Sequence, residues 1–299
     1  MSPHPEKPRD PFVRGPAEPD PAALEREVAA ALEEDLGPGG MAADVTAALV
    51  PAGRQARASL WLREDAVLCG QPWAERVLAR LDPNLRIEWA VTEGETCAAE
   101  TRIARIEGPA RALLAGERAA LNLLQTLSGT ATETARWVAR LQDHHARILD
   151  TRKTLPGLRH AQKYAVRIGG GHNHRLGLWD AVLIKENHIA ACGSIAAAVE
   201  QARTLGAGRW VEVETENLDE VDQALAAGAD VIMLDELEPA NRAEAVRRIR
   251  GRAISEASGG VSAATLLEVA DSGVDYISVG ALTKHLRAVD LSLRLDSDA

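Results

Sequence analysis

Aromatic residues make up only 3% of the 299-residue chain, with one Phe and two Tyr. Hydrophobic residues nevertheless reach 46%, so a large core is available, built from Ala, Leu and Val. Cysteine is as scarce. Cys69, Cys97 and Cys192 lie far apart, odd in number and without CxxC spacing, which excludes a disulfide framework or a zinc ribbon and fits a reducing cytoplasm. No run approaches the roughly 20 apolar residues of a membrane span. The N-terminus lacks the apolar core of a signal peptide. Lysine is rarer than any chain this acidic requires: five in all, against a formal net charge of -10. A polyanion needs a long basic face, so nucleic acid is excluded as a partner.

Three of the five lysines fall in one stretch, Asp150 to His188, which forms a basic island in an acidic chain. Lys153, Lys163 and Lys185 are here with Arg152, Arg159, Arg167 and Arg175, opposed only by Asp150, Asp180 and Glu186. Folded inward, such an island focuses positive potential on a small anion. The stretch reads as an anion-binding active site.

Residues 1–21 hold seven of the fourteen prolines among charges and read as a tail without fixed structure. A helix follows, with Asp20 as cap, Pro21 at its first position, Leu24, Val28, Ala31 and Leu32 on one face, and Gly37 as its stop. Strands are predicted at 56–62, 66–70, 85–91 and 96–108, with a helix near 71–81, the signature of an α+β domain with an antiparallel sheet. A long helical pattern runs from Glu117 to Gln142, weakened at Ser128-Gly129, and places Arg118 and Asn122 on one face.

Beyond Arg147 the rhythm becomes strand then helix. Strands are predicted at 146–150, 181–184, 210–214, 230–234, 252–258 and 275–279. Helices are predicted near 158–168, 194–206, 218–227, 239–250 and 262–271. This is the pattern of a parallel α/β barrel or doubly wound sheet, and six strands suit an incomplete barrel. Working residues sit at the C-terminal ends of such strands. Here those ends carry Thr151-Arg152-Lys153, Lys185, Glu212 with Glu214, Asp235-Glu236, Ser258-Gly259-Gly260 and Gly280: cations, then carboxylates, then glycines.

Arg152 and Arg175 can grip carboxylates bidentately, and Lys153 can add a point charge. Glu214 and Asp235 are hard oxygen donors for Mg²⁺ or for ribose hydroxyls. Glu212 and Glu214 share one strand face. Ser258-Gly259-Gly260 ahead of a helix starting near Ser262 would bind phosphate through bare N–H groups, and Gly280-Ala281 would supply the second jaw. The Gly-rich run 169–174 is no P-loop. His172 and His174 lack the further ligands and rigid mount of a zinc site; a turn presenting His174 and Arg175 to an anion is the better reading.

Together DTRKT, GGGHNHRLGL, LIKENHI, VEVE, IMLDE, EASGGV and ISVGALT, with EEDLG, ADVT and ERAALNLLQTLSGTAT upstream, resemble the quinolinate phosphoribosyltransferases over about residues 24–295. The resemblance implies an N-terminal α+β sandwich domain (22–128, with 288–299 packing on it), then an incomplete, about six-stranded parallel α/β barrel (129–287). It implies a cytoplasmic transferase of NAD biosynthesis that joins quinolinate to 5-phosphoribosyl 1-pyrophosphate with Mg²⁺. It further implies a homodimer in which Arg118 reaches the neighbouring active site. Thr151, Arg152, Lys153, His174, Arg175 and Lys185 would surround quinolinate. Glu214 and Asp235 would hold ribose and Mg²⁺, with Lys153, Lys185, Glu214 and Asp235 carrying catalysis. Ser258, Gly259, Gly260, Gly280 and Ala281 would take the 5′-phosphate. The chain departs from the family pattern at Glu236, where Asn is usual, and at Lys284, where His is usual and His285 comes one place late. A paralogous pyrophosphorylase linked to molybdenum transport has the same fold, but the DTRK and HNHR cations favour a dicarboxylate acceptor. A Schiff-base lyase would need Lys153 or Lys185 among apolar neighbours.

Overall fold

The computed structural model of the chain describes residues 10–12, 18–206 and 208–296. Contacts divide these into two compact units. One contains 18–135, 154–170 and 281–296; the other contains 136–153 and 171–280, together with Asp10–Phe12.

The elements run α1 (Pro21–Leu36), β1 (Gln55–Leu62), β2 (Ala66–Val67), α2 (Gln71–Leu81), β3 (Arg86–Trp89), β4 (Thr96–Cys97), β5 (Thr101–Pro109) and α3 (Ala110–Arg140). They continue β6 (Arg147–Leu149), α4 (Arg159–Ile168), β7 (Val182–Ile184), α5 (Glu186–Cys192), α6 (Ile195–Gly206), β8 (Val211–Thr215), α7 (Leu218–Ala227) and β9 (Val231–Asp235). The last are α8 (Pro239–Ile249), β10 (Ile254–Ser258), α9 (Leu266–Asp271), β11 (Tyr276–Ser278), α10 (Ala281–Lys284) and β12 (Leu291–Leu295).

In the first unit the Asp20 carboxylate accepts the Ala23 N–H at 2.6 Å and Gly37 ends α1 at φ 63°. An antiparallel sheet runs β12-β1-β5-β3, so the C-terminal strand pairs beside β1. Its core joins Leu60, Leu62, Trp73, Ile103, Leu124 and Leu127. The expected weakness at Ser128-Gly129 does not interrupt α3, and the proposed boundary at 128/129 falls inside this one helix. Both residues are small because the helix is closely approached there. The Ser128 hydroxyl accepts the Cys69 N–H at 2.9 Å and donates to the Cys69 carbonyl at 3.1 Å. A Cβ on Gly129 would lie 2.3 Å from the Arg287 carbonyl oxygen.

The second unit is a six-stranded parallel sheet, β6-β11-β10-β9-β8-β7, with β6 and β7 as its two unjoined edges. This is the incomplete barrel the alternating pattern anticipates. In β8, Val211 and Val213 alternate with Glu212 and Glu214, and all four are buried. Apolar side chains thus cover one face while carboxylates occupy the other. At the β6 edge, Gly171-His172 adds a short parallel extension: the His172 N–H donates to the Ile148 carbonyl at 2.8 Å, and the Asp150 N–H donates to the His172 carbonyl at 3.0 Å.

Much of the tail expected over residues 1–21 lies outside the described residues, but two parts of it depart from that reading. Pro21 opens α1, and Phe12 is 0% exposed. A proline-rich, charged composition argues against burial on average; it does not stop one aromatic residue from filling a cavity.

Gly129→Ala is expected to lower stability by about 1–3 kcal/mol through overpacking against the Arg287 carbonyl. A urea unfolding midpoint equal to that of the unsubstituted chain would show that α3 and the 287–289 segment can separate freely.

Candidate active site

The C-terminal ends of the parallel strands bring the basic and acidic residues to one rim. Thr151-Arg152-Lys153 follows β6, where the Thr151 hydroxyl accepts the Lys153 N–H at 3.0 Å. Gly280 follows β11 and lies against this turn: a Cβ there would meet Lys153 Cδ at 2.9 Å and Thr151 Oγ1 at 3.5 Å. A side chain there would displace the Lys153 side chain from its present place.

Asp150, which the sequence places at the end of the first barrel strand without a role, is the anchor of the next segment. It is 0% exposed and accepts the Asn173 amide at 2.6 Å and the His174 N–H at 2.9 Å. Asp180 closes the turn that follows, accepting the N–H groups of Leu176 at 2.6 Å and Gly177 at 2.9 Å. Between these clamps Arg175 is buried, donating to the Ala181 carbonyl at 3.3 Å. Burial, and then the neighbouring Arg152, hold the Arg175 guanidinium below its usual pKa. Two cations pressed together in this way gain from an anion.

Lys185 follows β7 and its ammonium is paired with the Glu214 carboxylate on β8. Its backbone is set by a contact that sequence reading missed: the Lys185 N–H donates to His188 Nδ1 at 3.0 Å, a one-way cap on the unforeseen helix α5. Histidine at that position is outside the Ser/Thr-x-x-Glu signature, so no ordinary capping signal advertised it.

His174 is placed differently from expectation. Its side chain turns into the sheet interior, where Nε2 stands 2.9 Å from Glu212 and 3.5 Å from Glu256, all three buried. Its Nδ1 accepts the Arg175 N–H at 2.7 Å, so the ring's own proton is on Nε2. Burial alone would lower the His174 pKa, but Glu212 and Glu256 outweigh it and raise it to about 10. Burial, reinforced by Glu256, raises Glu212 to about 7. One additional proton shared by this cluster accounts for both shifts. These three are the one set of clustered metal-ligand types among the described residues. Nε2 and Glu212 stand at ion-pair distance, 2.9 Å. His172 goes elsewhere, edge-on to Tyr276 at 5.7 Å, so the HxH pair does not converge.

Glu214 and Asp235 end adjacent parallel strands. Two hard carboxylates without a third protein ligand fit a Mg²⁺ completed by substrate phosphates, and fit a wholly protein-bound ion poorly. Just beyond β10, Gly259 sits against Asp235 and Glu236 at φ +86°, where a Cβ would meet Glu236 Cγ at 2.4 Å and Asp235 Oδ1 at 2.9 Å. Ser258, Gly259 and Gly260 line a cavity of about 300 Å³ with Glu236, Arg242 and Thr265. The expected helix at Ser262 begins instead at Leu266, because Ser262 and Thr265 first close a turn on each other's hydroxyls. The bare N–H groups here belong to left-handed glycines, with Gly260 at φ +58°. They do not belong to a helix end. Glu236, the departure from the family pattern, itself adopts φ 52°.

Arg118 is exposed on α3 beside exposed Asn122, in the first unit. Ala281 opens α10, and Lys284 and His285 are exposed at its end.

An open parallel barrel whose rim presents paired guanidiniums, two carboxylates and a glycine turn defines an α/β-barrel enzyme that handles small anions. The chain matches the quinolinate phosphoribosyl transferase C-terminal domain over residues 130–294 and the N-terminal domain over 44–128. It is 41% identical over 262 residues to a probable carboxylating nicotinate-nucleotide pyrophosphorylase of Bacillus subtilis, covering 87% of this chain and 89% of that one. It is 42% identical over 271 residues to the carboxylating nicotinate-nucleotide pyrophosphorylase of Mycobacterium leprae, covering 89% and 94%. The solved nicotinate-nucleotide pyrophosphorylase of Francisella tularensis superposes with a TM-score of 0.89 at 44% identity, over 95% of this chain and 100% of that one. The chain belongs to the quinolinate phosphoribosyltransferase family.

Glu236→Asn should raise stability by about 1 kcal/mol, since Asn tolerates the left-handed region better than Glu. Removing a negative charge beside the glycine turn should also lower the KM for a phosphorylated substrate. Thermal unfolding and initial rates check the two effects separately.

Proposed function

We propose that the chain transfers the phosphoribosyl group of 5-phosphoribosyl 1-pyrophosphate to quinolinate with decarboxylation, giving nicotinate mononucleotide, pyrophosphate and CO₂ for de novo NAD synthesis. The observation that carries this reading is the buried Arg175 side chain, held between the Asp150 and Asp180 clamps, with the charge of Arg152 acting unfavourably on its guanidinium. A rigid, planar dicarboxylate relieves that repulsion and matches the guanidinium forks. A monocarboxylate base such as nicotinate relieves less of it.

Arg152, Lys153 and Arg175, with Thr151 at the turn, orient the two carboxylates so that the pyridine nitrogen faces the ribose C1. The N–C1 bond forms as the bond from C1 to pyrophosphate breaks. Nitrogen is already nucleophilic, so this step needs no strong general base. The ring nitrogen then carries positive charge, and the C2–carboxylate bond can break with its electron pair left on C2, which takes a proton. Lys185 and Glu214 flank the reacting centre as an ion pair, and Glu214 with Asp235 would hold the ribose hydroxyls. The same two carboxylates would hold Mg²⁺, which when bound supplies charge neutralisation for the departing pyrophosphate. Ser258, Gly259, Gly260 and Gly280, with the neighbouring Ala281, would hold the 5′-phosphate. Positioning and electrostatics carry most of the rate in such a scheme. His174 enters this reading from beneath the site, as the support of Arg175.

Arg118, exposed on α3, is assigned to the neighbouring subunit's active site in a homodimer. No helix among the described residues is long and apolar enough to cross a membrane, and a cytoplasmic location agrees with the three free cysteines.

An assay with both substrates and Mg²⁺, run beside nicotinate as the competing acceptor, tests the function: quinolinate is consumed with release of CO₂ and nicotinate is not. Turnover of nicotinate alone would move the protein to another branch of the fold. Arg175→Ala should reduce kcat/KM for quinolinate by about 2–5 kcal/mol of transition-state stabilisation. Arg175→Lys should recover little, because the fork is lost. For the shared site, Arg118→Ala and Arg152→Ala are each expected to be inactive. Their mixture should regain activity at about a quarter of the sites once subunits exchange. Absence of recovery after verified exchange would place Arg118 outside the neighbouring site.

A further inference from the structure

Phe12, the single phenylalanine of the chain, sits in a proline-rich charged segment and yet is 0% exposed. Its ring meets Tyr276 at 4.9 Å and 70°, Trp210 at 5.2 Å and 78°, and His174 at 5.4 Å and 41°. It clusters with Leu149, Val231, Ile254 and Tyr276. Val231, Ile254 and Tyr276 are the first residues of β9, β10 and β11, and Trp210 immediately precedes β8. Phe12 therefore fills the N-terminal end of the open barrel, opposite the rim that carries the anion-binding residues.

The segment is pinned there. The Tyr276 hydroxyl donates to the Asp10 carboxylate at 2.6 Å, and the other Asp10 oxygen accepts the Phe12 N–H at 3.0 Å. Phe12 and Trp210, whose ring also meets His174 at 5.4 Å, thus contact the same imidazole. That imidazole faces Glu212 and Glu256 through Nε2 and accepts the Arg175 N–H through Nδ1. A continuous chain of contacts runs from the barrel floor to the carboxylate grip: Phe12, His174, Arg175. An open barrel with so few aromatic residues has little else to fill this layer, and space below His174 would let the ring tilt away from Glu212.

We propose that Phe12 is a positioning residue for the reaction: a floor supplied by the N-terminal segment that holds His174, and through it Arg175, in the orientation that binds the dicarboxylate. The proposal rests on the reading of Arg175 as part of the quinolinate site. It assigns the Asp10–Phe12 segment a part in substrate affinity, and not only in stability.

The test uses the full chain with Phe12→Ala and Phe12→Leu, assayed well below their unfolding temperatures. In Phe12→Ala the KM for quinolinate should rise roughly tenfold, as for a modest misplacement of a binding group. The KM for 5-phosphoribosyl 1-pyrophosphate should stay within about twofold, because the glycine turn and Asp235 do not rest on His174. Phe12→Leu, which refills the space, should restore most of the quinolinate affinity. Ring ¹H and ¹⁵N chemical shifts of His174 should move in Phe12→Ala and return in Phe12→Leu. A lowered Tm with both KM values and the His174 shifts unchanged would overturn the proposal, as would an equal rise in both KM values. Should Phe12→Ala fail to fold, Tyr276→Phe removes only the hydroxyl that pins Asp10. A raised quinolinate KM there supports the floor, and an unchanged one overturns it. Absence of quinolinate turnover in the unsubstituted chain would strike the proposed function instead, while the His174 shifts would still decide whether Phe12 sets that ring.

Discussion

Two glutamates, Glu212 and Glu256, are wholly enclosed within the open barrel, and the imidazole of His174 stands against both. Two buried carboxylates cannot both stay ionised without a cation or a proton between them. The raised proton affinities of His174 and Glu212 are the signs of that requirement. Much of the active site's frame depends on this cluster. Glu212 shares β8 with Glu214, His174 precedes Arg175, and Glu256 lies two residues before Ser258. The cluster thus lies beside Arg175 along the chain and on the same strand as Glu214.

The rim is assembled from charges that would repel one another in isolation. Arg152 acts unfavourably on the charge of Arg175, and the loop that carries Arg175 is held by acids: Asp150 accepts the His174 N–H, and Asp180 accepts those of Leu176 and Gly177. The acids fix the backbone on either side of Arg175. Preorganised charge of this kind costs stability in the empty protein and returns it as affinity. Glycines make the arrangement compact. Gly280 leaves space for the Lys153 side chain, and Gly259, in the left-handed region, leaves space for the side chains of Asp235 and Glu236.

Backbone strain also occurs at this rim. Apart from Glu100, Glu236 is the one non-glycine residue at positive φ among the described residues, and it faces Gly259, which is itself left-handed. Strain is tolerated where the surrounding ladder over-determines the backbone, here by the Glu236 N–H donating to the Ser258 carbonyl at 3.2 Å. The first unit shows the opposite economy. Its long α3 runs unbroken through Ser128-Gly129 because those small residues make room for a neighbouring backbone.

Hydrophobic period and chain order were enough to place the strands of the barrel and the sequence of chemistries at their ends. Strand ends are local, and a run such as VEVE declares its own inward and outward faces. The extended motifs were enough to indicate the family. The orientation of His174, the anchoring role of Asp150, the start of α9 at Leu266 and the burial of Phe12 were decided only by the tertiary structure. Each depends on partners far away along the chain: Glu212 and Glu256 for His174, Tyr276 and Trp210 for Phe12. Local sequence states which groups a segment carries. Where a charged or aromatic side chain points is settled by which distant group can neutralise its charge or fill the space beside it.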